Sequence, residues 1–176
     1  MKSLYVLLMF GSCFFVRAQE QRFESTYFDS LVWQKINKYR MTKSVKPFLY
    51  FEDSLMRDFC QRVTYRNALV PKPAHSDSVG YWSNAECLYT FISSGFKTKE
   101  MCEMSKLDLF ELLAERTVQA WIHSPTHERA ISRPEYNTST IVAVLIIDPV
   151  TSSLRLDVTY HALDKEHNTF NRYVYR

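Results

Sequence analysis

The chain reads as an α+β protein, a three-layer α-β-α sandwich with a small central sheet and helices on both faces. Three observations predict it. Helical spacing of apolar residues recurs in several segments before residue 132, an unbroken apolar run follows at 140–147, and an alternating segment closes the pattern at 154–162. A strand buried on both sides, in a hairpin preceded by helices, requires helices on each face of the sheet.

Each element can be argued in order. Thr26 with Asp29 resembles a capping box, and Phe28, Val32, Ile36 and Tyr39 recur at spacings of three and four, which predicts a helix over 26–40. Pro47 makes 45–51 a short extended linker, since it lacks a donor and biases its predecessor away from helix. Asp53 or Ser54 then caps a second helix with Leu55, Phe59 and Val63 on one face, ending before Pro71 and Pro73. Residues 74–99, with Gly80, Gly95 and many serines, read as loop with short regular pieces.

Ser105 with Asp108 announces the third helix, whose stripe is Leu109, Leu113, Thr117, Ala120 and Trp121. Ser124 at the cap and Pro125 at the first helical position start a separate helix over 125–131. Thr140 to Ile147 is apolar without alternation and belongs in the middle of the sheet. After a turn at Asp148-Pro149, Leu154, Leu156, Val158, Tyr160 and Ala162 alternate with Arg155, Asp157, Thr159 and His161, so the last strand turns one face to water or to a site.

The chain start reads as a secretory leader. Lys2 precedes the apolar run Leu4 to Phe10, and Val16 and Ala18 suit cleavage after Ala18, so residues 1–18 are a signal peptide, 26–163 one domain and 164–176 a tail. The rival reading uses Phe10-Gly11-Ser12-Cys13 as a lipoprotein site with a lipid on Cys13. Loss of Lys2 and Arg17 lowers the formal charge from +3 to about +1, which leaves no electrostatic case for nucleic acid. The apolar run is too short to span a bilayer. The expected location is therefore secreted or periplasmic.

Three cysteines follow the leader, Cys60, Cys87 and Cys102. A Cys87–Cys102 bridge would close a loop of about 15 residues and contribute about 3 kcal/mol. Equally, all three read as small buried hydrophobes.

Several motifs share an order with a known family. They are Ile36-Asn37-Lys38-Tyr39-Arg40, Lys46-Pro47-Phe48, His75-Ser76, Ala85-Glu86-Cys87, and Ala120-Trp121-Ile122-His123-Ser124-Pro125-Thr126-His127-Glu128-Arg129, followed by Arg133-Pro134-Glu135-Tyr136. This succession resembles the CAP superfamily (cysteine-rich secretory, antigen 5 and pathogenesis-related proteins) in its bacterial form, most specifically in the Trp, Ser-Pro and His spacing. The resemblance implies the same α-β-α sandwich, with a cleft holding His75, Glu86 and His127. It also implies a secreted binding module for a small molecule, a lipid or sterol, or a protein or cell-surface partner. Two departures bear on the cleft. No carboxylate stands at Ser124 or Pro125, where the family has its second Glu, and Cys87 replaces an Asn.

The side chains have a chemistry of their own. Two neutral imidazoles and a carboxylate are suitable ligands for Zn²⁺ or another divalent cation, with His75 and His127 as metal ligands and one position open for water or substrate. His127 falls in the first turn of its helix, where the dipole disfavours imidazolium. Taken singly, His75 reads as an exposed loop histidine and His127 as a helix-start contact. A hydrolase is the alternative function, either metal-assisted with Glu86 as general base or a thiol enzyme using Cys87. His123 reads as surface, His161 as a strand residue facing cleft or solvent, and Trp121 and Tyr136 as core. Asn137-Thr138-Ser139 is a glycosylation sequon.

Overall fold

The computed structural model describes residues 20–50, 54–76, 85–148 and 150–164. The leader, Cys13 and the tail beyond Asp164 lie outside the described residues. The elements run β1 (Gln21–Phe23), α1 (Thr26–Thr42), β2 (Leu49–Tyr50), α2 (Ser54–Ala68), β3 (Ala85–Ser94), α3 (Phe96–Glu103), α4 (Lys106–Ile122), α5 (Pro125–Ser132), β4 (Thr138–Asp148) and β5 (Ser153–Leu163).

The sheet order is β1-β4-β5-β3, with β2 added parallel to the start of β4. The antiparallel β4–β5 hairpin is its centre. Its turn is held by Asp148, whose Oδ1 accepts from Val150 N at 2.9 Å and Thr151 N at 3.3 Å, and Ser152 takes a left-handed φ of 48°.

The alternation of each strand sorts its side chains into two layers. On one face Ile141, Ala143 and Leu145 of β4 and Leu156, Val158 and Tyr160 of β5 pack with α1, α4 and α5 through Val32, Ile36, Leu113 and Trp121. Each such buried aliphatic contributes about 1.5–3 kcal/mol. On the other face lies α2, whose Thr64 Oγ1 reaches Val142 O at 3.3 Å and whose Cys60 thiol donates to Thr159 O at 3.4 Å. The architecture is the α+β sandwich that the periodicities predict, and β4 is interior.

Four expectations are corrected. Residues 74–99 are more regular than loop with short pieces, because the ten-residue β3 lies within them and α3 begins there. The β-forming Tyr89, Thr90, Phe91 and Ile92 supply the strand, and Gly95, at a φ of 81° that other residues rarely adopt, caps α3. The first helix is capped by Ser25, not Thr26, with Phe28 N donating to Ser25 Oγ at 3.4 Å. Asp29 consequently does no capping. It is buried, accepting from Ala143 N at 3.0 Å and pairing with Arg57 at 3.2 Å. Of the two alternatives for the polar face of β5, water and a site, water is excluded, since Asp157, Thr159 and His161 are all buried, with β5 packed against α2.

The fourth concerns sulfur. Cys87 is a free, fully buried thiol, donating to His127 O at 3.9 Å, so the Cys87–Cys102 bridge is not formed. Its place in β3 turns it into the core against α5. Of the sequon residues, Thr138 and Ser139 are buried where β4 begins. Among the described residues no helix is long and apolar enough to cross a membrane.

Candidate functional site

The polar centre grows from a register match between β3 and β5. Glu86 stands opposite His161, and the pleat turns both toward α2. Glu86's carboxylate is 1% exposed, with Oε1 at 3.4 Å from Nε2 of the fully buried His161. The Phe59 and His161 rings meet edge to face at a centroid separation of 5.1 Å.

The other Glu86 oxygen gathers the loop after α2. Oε2 lies 2.6 Å from His75 Nδ1 and accepts from Ser76 N at 2.9 Å. With two donors on one carboxylate oxygen, Nδ1 carries the proton, and the His75 ring, 60% exposed, is left with Nε2 as its other polar atom. The loop itself is clamped by Asn67 at the end of α2, whose side chain both accepts from Ala74 N at 3.1 Å and donates to Ala74 O at 3.2 Å. Arg155 holds that helix end in turn, donating to Asn67 O and to Val70 O while paired with Asp157 at 2.6 Å.

His127 approaches from the opposite layer. It lies in the first turn of α5, and its imidazole is held below the ordinary range by burial and by the charge of His75. Burial, again with the charge of His75, pushes His161 further, to about 3. Both rings are neutral near pH 7.

His75, Glu86 and His127 are therefore drawn to one end of β3, and His161 completes the group. The sequence leaves His161 undecided between cleft and solvent and does not single out Asn67. The alternation of Asp157, Thr159 and His161 on one strand face is the available signal. His123 is exposed, as expected, and Trp121 and Tyr136 are core.

Among the described residues no three His, Cys, Asp or Glu side chains are arranged to hold a metal ion. His75 Nδ1 and Ser76 N already occupy Glu86 Oε2, so that oxygen is not open to a cation. A thiol nucleophile at Cys87 fares no better, because burial and then the Glu86 carboxylate push its pKa well up, and the thiolate is the reactive form.

A groove of about 550 Å³ is lined in part by Ala85 and Thr126, the chain neighbours of Glu86 and His127, and by none of the four polar residues themselves. One wall is α5, through Thr126, Arg129, Ala130 and Ser132; the other is the segment Arg133 to Tyr136; Ala85, next to Glu86, closes it toward β3. The fully buried Arg40 braces both walls. Its guanidinium donates to Ile131 O at 2.9 Å, Arg133 O at 3.1 Å and Tyr136 O at 2.8 Å, while Nε donates to Lys46 O at 2.8 Å and the ring of Phe48 lies 3.6 Å away. A second cavity, of about 330 Å³, is lined by Asp29, Arg57, Glu24 and Gln61 at the far edge of β4.

No family model and no curated protein matches the chain. Among solved structures it is similar to an outer surface protein from Borrelia burgdorferi, with 9% identity and a TM-score of 0.46 over 84% of this chain and 100% of that one.

Proposed function

We propose that this chain is an exported, CAP-like binding module that takes a small-molecule or lipid ligand at the His75, Glu86, His127 and His161 centre and the groove lined in part by Ala85 and Thr126. One observation carries the reading. A sealed carboxylate orients a largely exposed imidazole at 2.6 Å, and a groove large enough for a small ligand is lined by Ala85 and Thr126, the chain neighbours of Glu86 and His127. Such an arrangement presents a fixed hydrogen-bonding edge without needing a nucleophile.

The same contact also favours a second reading. A carboxylate that fixes a histidine tautomer is what a general base requires, so a hydrolase acting through His75 is the alternative. Burial of the Cys87 thiol weighs against its cysteine form.

The test is a titration followed through the imidazole NMR signals, using a sterol, a fatty acid and a phosphate ester, with p-nitrophenyl acetate turnover measured in parallel. Saturable shifts of the His75 and His127 signals that are lost in Glu86→Gln, with no turnover above His75→Ala, are expected. Ester hydrolysis that disappears in His75→Ala overturns the binding reading in favour of the hydrolase.

A further inference from the structure

We infer that the groove between α5 and residues 133–136 is an anion site, taking a small organic ligand with a carboxylate or phosphate-monoester head on a compact body. The inference rests on the binding-module reading and names the chemistry of its ligand.

The charges around the groove do not balance. Arg129 and Arg133 lie four residues apart, a spacing at which like charges repel. Among the described residues Arg129 makes no ion pair, and its Nε donates only to Pro125 O at 3.3 Å. Arg133 meets one carboxylate, Glu135 at 3.3 Å; both are 57% exposed, where such a pair is weak and easily exchanged. Behind the wall sits Arg40, whose charge is matched by carbonyls and an aromatic face, and its hydrogen-bond partners include no carboxylate. The groove lining thus holds two guanidiniums and one carboxylate, with a third guanidinium, Arg40, behind the wall in the low-dielectric interior where its field is least screened.

The groove is also built in advance. Arg40 ties Ile131, Arg133 and Tyr136 to one buried group, so the two walls cannot drift apart without breaking hydrogen bonds. A rigid site loses less on binding than a flexible one. Thr126 can add a hydroxyl donor, and Tyr136 with Ala130, Pro134 and Ala85 provides apolar surface for the ligand's body. An anion bridging Arg129 and Arg133 would relieve their repulsion through charge-assisted hydrogen bonds, the stronger kind.

Calorimetric titration with phenyl phosphate, benzoate, inorganic phosphate and neutral benzyl alcohol tests this. Phenyl phosphate and benzoate are expected to bind at least about 10-fold more tightly than benzyl alcohol, with affinity falling as salt rises. Arg129→Gln with Arg133→Gln should remove that advantage while leaving the melting temperature near wild type, since both side chains are exposed. Glu135→Gln should tighten phenyl phosphate by about 2-fold or more, because the competing carboxylate is gone.

Equal binding of benzyl alcohol and benzoate, or indifference to the double substitution, overturns the anion site and leaves the binding module standing. Inorganic phosphate binding as tightly as phenyl phosphate overturns the organic body. If no probe binds, the anion site fails, and the module reading loses the groove as support.

Discussion

Glu86 of β3 and His161 of β5 face each other across one rung of the sheet, Oε1 and Nε2 3.4 Å apart and both sealed from solvent. Burial and the charge of His75 hold His161 neutral down to about pH 3. In the unfolded chain the ring protonates near 6.5, so the native state binds fewer protons between these values. His161 therefore contributes stability that is full above pH 6.5 and is lost as pH falls toward 3. In His161→Gln that part of the acid sensitivity should vanish in urea melts across the window.

Asp29 runs the other way. Its burial, outweighing Arg57 and the Ala143 N–H, raises its carboxyl to about 7 from an ordinary 3.8. The native state then holds a proton that the unfolded chain releases, so this contribution is full below pH 3.8 and is lost as pH rises to about 7. Each group changes stability by at most about 1.4 kcal/mol per pH unit, and the two oppose each other where their windows overlap. Wild type should be nearly flat there with respect to these two groups. Asp29→Asn should grow more stable as pH rises from 4.5 to 6.5, and His161→Gln less stable. Parallel curves for the two variants would contradict the assignment.

Arg40 should be among the least replaceable side chains. Arg40→Met keeps much of the volume but leaves the carbonyls of Lys46, Ile131, Arg133 and Tyr136 without their shared donor. A loss of more than about 3 kcal/mol is expected in urea denaturation. Arg40→Lys should recover little, because an ammonium cannot span carbonyls arranged for a planar fork.

Cys60 and Cys87 should be silent toward iodoacetamide in the native protein and react on unfolding, since burial protects both and opposes their thiolates. A non-reducing digest should contain no Cys87–Cys102 peptide. Recovery of that peptide would mean that β3 is turned over relative to the fold described.

How much of this is legible in the sequence follows from the range of each interaction. Helices 26–42, 106–122 and 125–132, and the β4–β5 hairpin, announce themselves through local signals: apolar period, Ser105 with Asp108, Pro125 at a helix start. β3 stays hidden because its serines and Glu86 read as loop until its partner β5 gives the alternation a purpose. Thr26 looks like the cap because an acidic residue three positions on fits a capping box equally well. The partner that Asp29 actually takes, Ala143 N, is 114 residues away.

By itself the sequence determined the layers, since side-chain period dictates which faces must be buried, and a resemblance of its motifs to a known family singled out His75, Glu86 and His127 as candidates. Only the tertiary structure decided what surrounds those residues. Strand register set His161 against Glu86, the clamp by Asn67 aimed His75, and Arg40 shaped the groove. These are contacts between residues distant in the chain, and no local pattern encodes a distance that the fold alone closes.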